Sequence, residues 1–148
     1  MNLYTIGFTK KTAEQFFEQL KKANINLLLD IRLNNKSQLA GFAKGADLRY
    51  FLKEICNAEY YHDTYLSPTE EILKDYRDKK ISWEEYEIRF KNLMEGREID
   101  KYFLRKYYAD NSKLCLLCSE DLPDNCHRRL IAEYVAKKSL KNISVVHL

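Results

Sequence analysis

The sequence predicts an α/β fold: a mostly parallel central sheet of about four to five strands with helices on both faces. Two observations carry that expectation. Short apolar or β-branched runs at residues 3–6, 25–31, 59–62, 113–118 and 143–146 alternate with stretches whose apolar residues recur at helical spacing. One run, Leu114-Cys115-Leu116-Leu117-Cys118, is continuously apolar, the pattern of a strand buried on both faces as in parallel sheets. At 148 residues the chain fits a single domain, residues 1–148, long enough for an ordinary core without disulfide staples.

Each element has its own local reason. The first strand, Leu3 to Ile6, closes on Gly7, Phe8 and Thr9. Thr12 followed three residues later by Gln15 is a capping box, and Phe16, Phe17, Leu20 and Ala23 form the apolar stripe of the helix it opens. Asn24 ends that helix, and Ile25 to Ile31 is the second strand, closing on Asp30 and Arg32. A strand, a helix and a strand at this spacing imply a parallel pair joined by a right-handed crossover. Residues 33–46 lack a period and read as a loop; Asp47 is placed to cap a helix with the face Leu48, Phe51, Leu52 and Ile55.

Glu59 to His62 is a short third strand. Ser67-Pro68-Thr69-Glu70 reads as a cap, a first-turn proline and a capping-box glutamate, opening a helix to about Asp78. Ser82-Trp83-Glu84-Glu85 opens the next, with Trp83, Tyr86, Phe90, Leu93 and Met94 on one face and Gly96 as its stop. A helix over 99–108 leads to the central strand. The last helix runs from about Asn125 to Lys138 with Leu130, Ile131, Tyr134 and Val135 inward, before a final strand at Ile143 to Val146.

Composition narrows the function classes. An apolar fraction of 45% with 32% charged residues is that of a globular protein. A net charge of +3 permits nucleic-acid contact without arguing for it, because the basic residues form no concentrated patch; Lys137, Lys138 and Lys141 suit the solvated end of a helix. No run approaches the length of a membrane span, and the first residues do not resemble a secretory signal. With four cysteines and no such signal, the expectation is a cytoplasmic protein with free thiols and no membrane partner.

In a parallel sheet the polar residues that close the strands gather at one edge: Thr9 after the first, Asp30 and Arg32 after the second, His62 and Asp63 after the third, Cys118 and Glu120 after the fourth. The amino end of the last helix, with Cys126, His127 and Arg128, points to the same edge, and a helix amino end suits an anion. The expected guest is a small anionic ligand or phosphate-containing substrate, with nucleic acid as an alternative. Cys118 is the candidate nucleophile, with Glu120 or Asp30 as acid or base; Arg32, Arg128, Thr9, His62, Cys126 and His127 are candidates to bind. The competing reading makes Asp30, Arg32, Glu120 and Arg128 an internal ion-pair lock, and function then resides in binding or protein contacts.

Cys115 and Cys118 form a C-x-x-C, but within a strand residues three apart face opposite ways, and adjacent Cys126 and His127 are poorly disposed to share one ion. No metal or other cofactor is therefore expected. The aromatic stripe around Trp83 reads as core or interface rather than as a ligand platform.

Asp30-Ile31-Arg32, Ser37 and Phe42, with Leu117-Cys118-Ser119-Glu120 and Cys126-His127-Arg128, resemble the family known as domain of unknown function 488. Its pattern is a Thr-Ile-Gly start, a Val-Asp-Val-Arg strand, and a Cys-x-Glu followed by Cys-His-Arg. The resemblance extends over nearly the whole chain, including Leu66-Ser67-Pro68-Thr69-Glu70. Two positions depart from it. Phe8 and Thr9 stand where many members have His and Ser, and Asn35 stands where a proline is common after the arginine. The resemblance implies an α/β fold and a shared site, and brings no activity with it.

Overall fold

The structure, a computed structural model, describes residues 1–36, 40–109 and 112–148. Ser37 of the family pattern lies outside the described residues. Five strands, β1 (Asn2–Gly7), β2 (Leu27–Asp30), β3 (Glu59–His62), β4 (Leu114–Cys118) and β5 (Ser144–His147), form one sheet in the order β3-β2-β4-β1-β5. Every pairing is parallel, with Gly7 opposite Cys118 and Asp30 opposite Leu117. All the strands therefore end at one edge.

Helices cover both faces because successive strand side chains point to opposite sides. On one face α1 (Ala13–Lys22) and α2 (Gly45–Phe51) bring Phe16, Phe17, Leu20 and Leu48 against Tyr4, Ile6, Leu28, Cys115 and Leu117. On the other, α3 (Glu70–Arg77), α4 (Trp83–Gly96), α5 (Ile99–Tyr107) and α6 (His127–Lys138) bring Ile72, Phe90, Phe103 and Ile131 against Leu3, Leu29, Leu114 and Leu116. The chain thus leaves β1 and β2 over one face and β4 over the other. Strand β4 lies between those two neighbours, so a crevice opens beyond its carboxyl end.

The capping box at Thr12 forms in both directions, and Asn24, at φ 54°, follows the end of α1. Other boundaries differ from expectation. Asp47 caps nothing: α2 begins two residues earlier, after Lys44, where the Gly45 amide donates to the Asn35 carbonyl at 2.8 Å. A Cβ on Gly45 would collide with the Asn35 side chain, so the start of α2 is set by a close approach rather than by a cap. The helix then continues as a π-helical turn, Leu52–Cys56; the wider turn rotates its end, and Ile55 of the expected apolar face is exposed.

Thr69, not Ser67, caps α3, and Pro68 lies before the cap. The Ser67 hydroxyl is buried and donates instead to the Ile31 carbonyl at 2.9 Å. Gly96 is the last residue of α4, as its expected stop requires, and the chain turns at Glu98, φ 49°, the residue before α5. The last helix starts at His127 rather than Asn125, because residues 123–126 close a turn through the Cys126 amide and the Pro123 carbonyl.

Candidate functional site

The crevice beyond β4 starts from side-chain parity. Leu114 and Leu116 face the α3–α6 side and Cys115 and Leu117 the other, so Cys118 falls on the α3–α6 side where the chain leaves the sheet. Cys115 faces away from it, fully buried, with its thiol pushed up by burial. The C-x-x-C therefore divides between the two faces, as its spacing predicts.

The loop after Cys118 is held on two sides. The Ser119 carbonyl accepts from the Phe8 and Thr9 amides and from the Thr9 hydroxyl, the last at 2.8 Å. From the other side the Arg128 guanidinium donates to the Glu120 and Asp121 carbonyls. Gly7 is the seam between them. A Cβ there would stand inside the van der Waals shell of the Glu120 carbonyl and press on Arg128, so only glycine fits. Arg128 is fully buried and, among the described residues, has no carboxylate within ion-pair distance. Its Nη1 also lies 3.7 Å from the Cys126 sulfur. A buried cation supported only by carbonyls and sulfur favours negative charge on nearby thiols.

Asp30 and Arg32 form a buried bidentate pair. Arg32 Nε and Nη2 donate to the two carboxylate oxygens at 2.9 and 2.6 Å, and the Tyr60 hydroxyl donates to Asp30 Oδ2 at 2.6 Å. Arg32 Nη2 also reaches the Ala43 carbonyl, and its guanidinium carbon lies 5.0 Å from the centre of the Phe8 ring. Phe8 is thus a cation–π platform. Among the described residues Arg32 Nη1 has no partner, although Arg32 is only 3% exposed.

Cys118, Cys126 and His127 converge. His127 Nε2 lies 2.7 Å from the Ile31 carbonyl, which can only accept, so this nitrogen carries the hydrogen. That leaves Nδ1 without a hydrogen, and Cys118 Sγ packs over the imidazole, 3.5 Å from Nδ1 and 3.7 Å from Nε2. The three potential donor atoms all lie within 4.8 Å of one another. Cys126 and His127, which their adjacency made poorly disposed to share one ion, do bring their donor atoms together. Cys126, the residue before α6, is extended at φ −138° and ψ 137°, while His127 is the first helical residue, and this change in backbone direction turns adjacent side chains together. No side chain caps α6, so its first amides are free of side-chain acceptors. A hydrogen bond from the Cys126 thiol, helped by the Ser119 amide and the Arg128 charge, outweighs burial and holds the Cys118 thiol below its ordinary pKa. The same hydrogen bond, with burial, pushes Cys126 well above.

These side chains form one wall of a cleft of about 230 Å³. Arg32, Glu120 and Asn125 line it with them, and α3 and α4 close it with Glu70, Tyr76, Arg77, Trp83 and Tyr86. The α3–α4 contribution was missed in the sequence. The Trp83 stripe does supply core, with Tyr86 only 2% exposed, but Trp83, Tyr86 and Tyr76 also face the cleft. A stripe at helical spacing looks the same in either role, so only the register of α3 and α4 against the sheet could reveal it.

Of the residues expected at the site, Cys118, Glu120, Arg32, Cys126 and His127 line the cleft. Asp30, Thr9, His62 and Arg128 do not. Asp30 is fully buried behind Arg32, Thr9 and Arg128 hold the loop, and exposed His62 contacts the Arg32 carbonyl through Nε2 at 2.6 Å. Glu120 is not part of a lock with Arg128, which takes its backbone carbonyl and leaves the carboxylate exposed at the rim. Asp63 belongs elsewhere: it accepts from Tyr102, Tyr107 and Lys106 and ties the end of β3 to α5. No helix among the described residues is long and apolar enough to cross a membrane.

A family model described as "Domain of unknown function DUF488" matches residues 12–135. Neither a search of curated proteins nor one of solved structures gives a match.

Proposed function

The chain belongs to the DUF488 family, and from that premise we propose that it is an enzyme acting on a small anionic, phosphate- or carboxylate-bearing substrate, with Cys118 as its nucleophile. The observation that carries this reading is the packing of Cys118 Sγ 3.5 Å from His127 Nδ1, the ring nitrogen without a hydrogen, on the wall of a cleft that Arg32 also lines. His127 takes the thiol proton, and the sulfur forms a bond to an electrophilic centre of the substrate while the leaving group departs with a proton. Arg32, with Nη1 uncommitted, and the uncapped amino end of α6 bind the anion. That proton passes from His127 to the leaving group, and Glu120, exposed at the rim, is the base for the water that releases the product from sulfur. Asp30 is a positioning residue that fixes the Arg32 guanidinium, and Arg128 and Thr9 fix the loop carrying Glu120.

The experiment is a screen of phosphorylated and carboxylated metabolites, followed for each hit by binding and turnover of wild type, Cys118→Ser and Glu120→Gln. The expected result is turnover lost by a factor of at least about 10² in Cys118→Ser with binding retained, the usual scale for removing one participant in proton or covalent chemistry. In parallel, iodoacetamide modifies Cys118 faster than the half-buried Cys56. Unchanged turnover in Cys118→Ser, or labelling of Cys118 no faster than of Cys56, overturns the nucleophile. Ligand binding without any turnover would make the cleft a binding module. Nucleic acid as the anion requires retention that weakens steeply with salt.

A further inference from the structure

The convergence of two sulfurs and an imidazole at the cleft wall carries a consequence independent of the reaction chosen. We infer that Cys118, Cys126 and His127 form a three-ligand site for a thiophilic divalent cation of the zinc class, its fourth position open to the cleft. Tetrahedral zinc at about 2.0–2.3 Å from its ligands places them about 3.3–3.8 Å apart. Cys118 Sγ and His127 Nδ1 are already 3.5 Å apart, and the whole set lies within 4.8 Å, so side-chain rotations of Cys118 and Cys126 toward the Nδ1 lone pair complete the geometry.

The surrounding contacts are those that metal ligands need. A ligating histidine is oriented by donating its other ring N–H, and His127 Nε2 does so to the Ile31 carbonyl. That carbonyl is itself held by the Ser67 hydroxyl, which donates to it at 2.9 Å. Cys118 is supported by the Ser119 amide, and Cys126 by Arg128 Nη1 at 3.7 Å. Each ligand thus has a fixed partner, and the three donor atoms lie within 4.8 Å of one another. The charges also balance. Two thiolates neutralise a divalent ion, so the occupied centre buries no net charge, and the adjacent Arg128 stabilises the thiolates. The residues are 3–6% exposed, which limits water around the ion but leaves the cleft as the route of entry.

Binding exchanges the thiol protons for the ion: the two S–H bonds break, two sulfur–metal bonds form, and the protons pass to solvent. Cys118 cannot then act as a free nucleophile, so metal occupancy and thiol reactivity exclude one another.

The test uses the full chain, reduced and stripped of metal with a chelator, then titrated with Co²⁺ and Zn²⁺. The expected result is one equivalent bound per chain, a thiolate-to-cobalt charge-transfer band that Zn²⁺ displaces, and a rise in thermal midpoint with zinc. Zinc protects Cys118 and Cys126 from iodoacetamide at least tenfold while Cys56 labels at its former rate. Cys118→Ser and Cys126→Ser each lose the band, and Cys56→Ser keeps it. No charge-transfer band in the wild type, or no protection of Cys118 and Cys126, overturns the site; the wild-type measurements stand even if a variant fails to fold. The readouts are separable from the proposed reaction. Metal binding that leaves turnover unchanged supports the site and removes Cys118 from the chemistry, whereas turnover without metal binding removes the site alone.

Discussion

Gly7 shows how one missing atom shapes the site. It has no left-handed backbone; its role is to let the Glu120 carbonyl lie against β1, where Arg128 reaches the same oxygen. Gly7→Ala must push the loop away, breaking its bond to Arg128 and disturbing the support of Cys118. Overpacking of this kind costs about 1–3 kcal/mol, and here it adds to the loss of a buried carbonyl's partner. The expected outcome is a lowered urea midpoint together with altered labelling of Cys118. Gly41, which has open space around its Cβ position, tolerates alanine within about 0.5 kcal/mol, the range of ordinary surface substitutions. Equal effects at the two glycines would remove the close-approach argument.

The connection from β3 to α5 rests on one carboxylate. Burial alone would raise the Asp63 pKa, but hydrogen bonds from Tyr107, Tyr102 and Lys106 outweigh it and hold the group below its ordinary range. A depressed folded-state value means that ionised Asp63 stabilises the fold above its unfolded pKa of about 3.9, and that this contribution fades as pH falls through the lower folded value. Asp63→Asn is expected to lower stability at pH 7 by about 1–3 kcal/mol, the scale for hydrogen bonds to a charged group. The difference from wild type should shrink in denaturant titrations carried toward pH 2. A pH-independent difference would mean that packing, not ionisation, holds α5 to the sheet end. The cleft lies on the other side of β2, so Cys118 labelling should not change.

Across the whole molecule, the core beneath α3–α6 both stabilises the fold and supports the site. Phe103 and Phe90 are each at most 1% exposed, but only Phe90 packs edge-on against His127, with ring centres 5.9 Å apart. Truncating either to alanine is expected to cost about 3–5 kcal/mol, a large part of the about 5–15 kcal/mol that holds a typical domain folded. Phe103→Ala should leave metal binding and Cys118 reactivity intact once the protein is folded. Phe90→Ala should also loosen His127 and weaken both. Identical site behaviour in the two variants would show that the His127 orientation depends on its carbonyl contact alone.

The sequence by itself determined the five strands, the six helices and their class of fold, because hydrophobic period and strand-end residues are local facts. The capping box at Thr12 and the opposed faces of Cys115 and Cys118 follow from the same short-range geometry. It also marked most of one wall of the cleft, since polar and sulfur-bearing residues that close parallel strands must share an edge. The π-helical end of α2, the start of α2 at Gly45 and the shift of the α3 cap to Thr69 depend on neighbours far along the chain, and no local pattern contained them. Only the tertiary structure decided that Tyr76, Trp83 and Arg77 face the same cleft, that Asp30 and Arg128 stand behind it, and that Cys126 and His127 turn toward Cys118. Periodicity tells which face of an element is apolar; what that face meets is set by how the helices dock on the sheet.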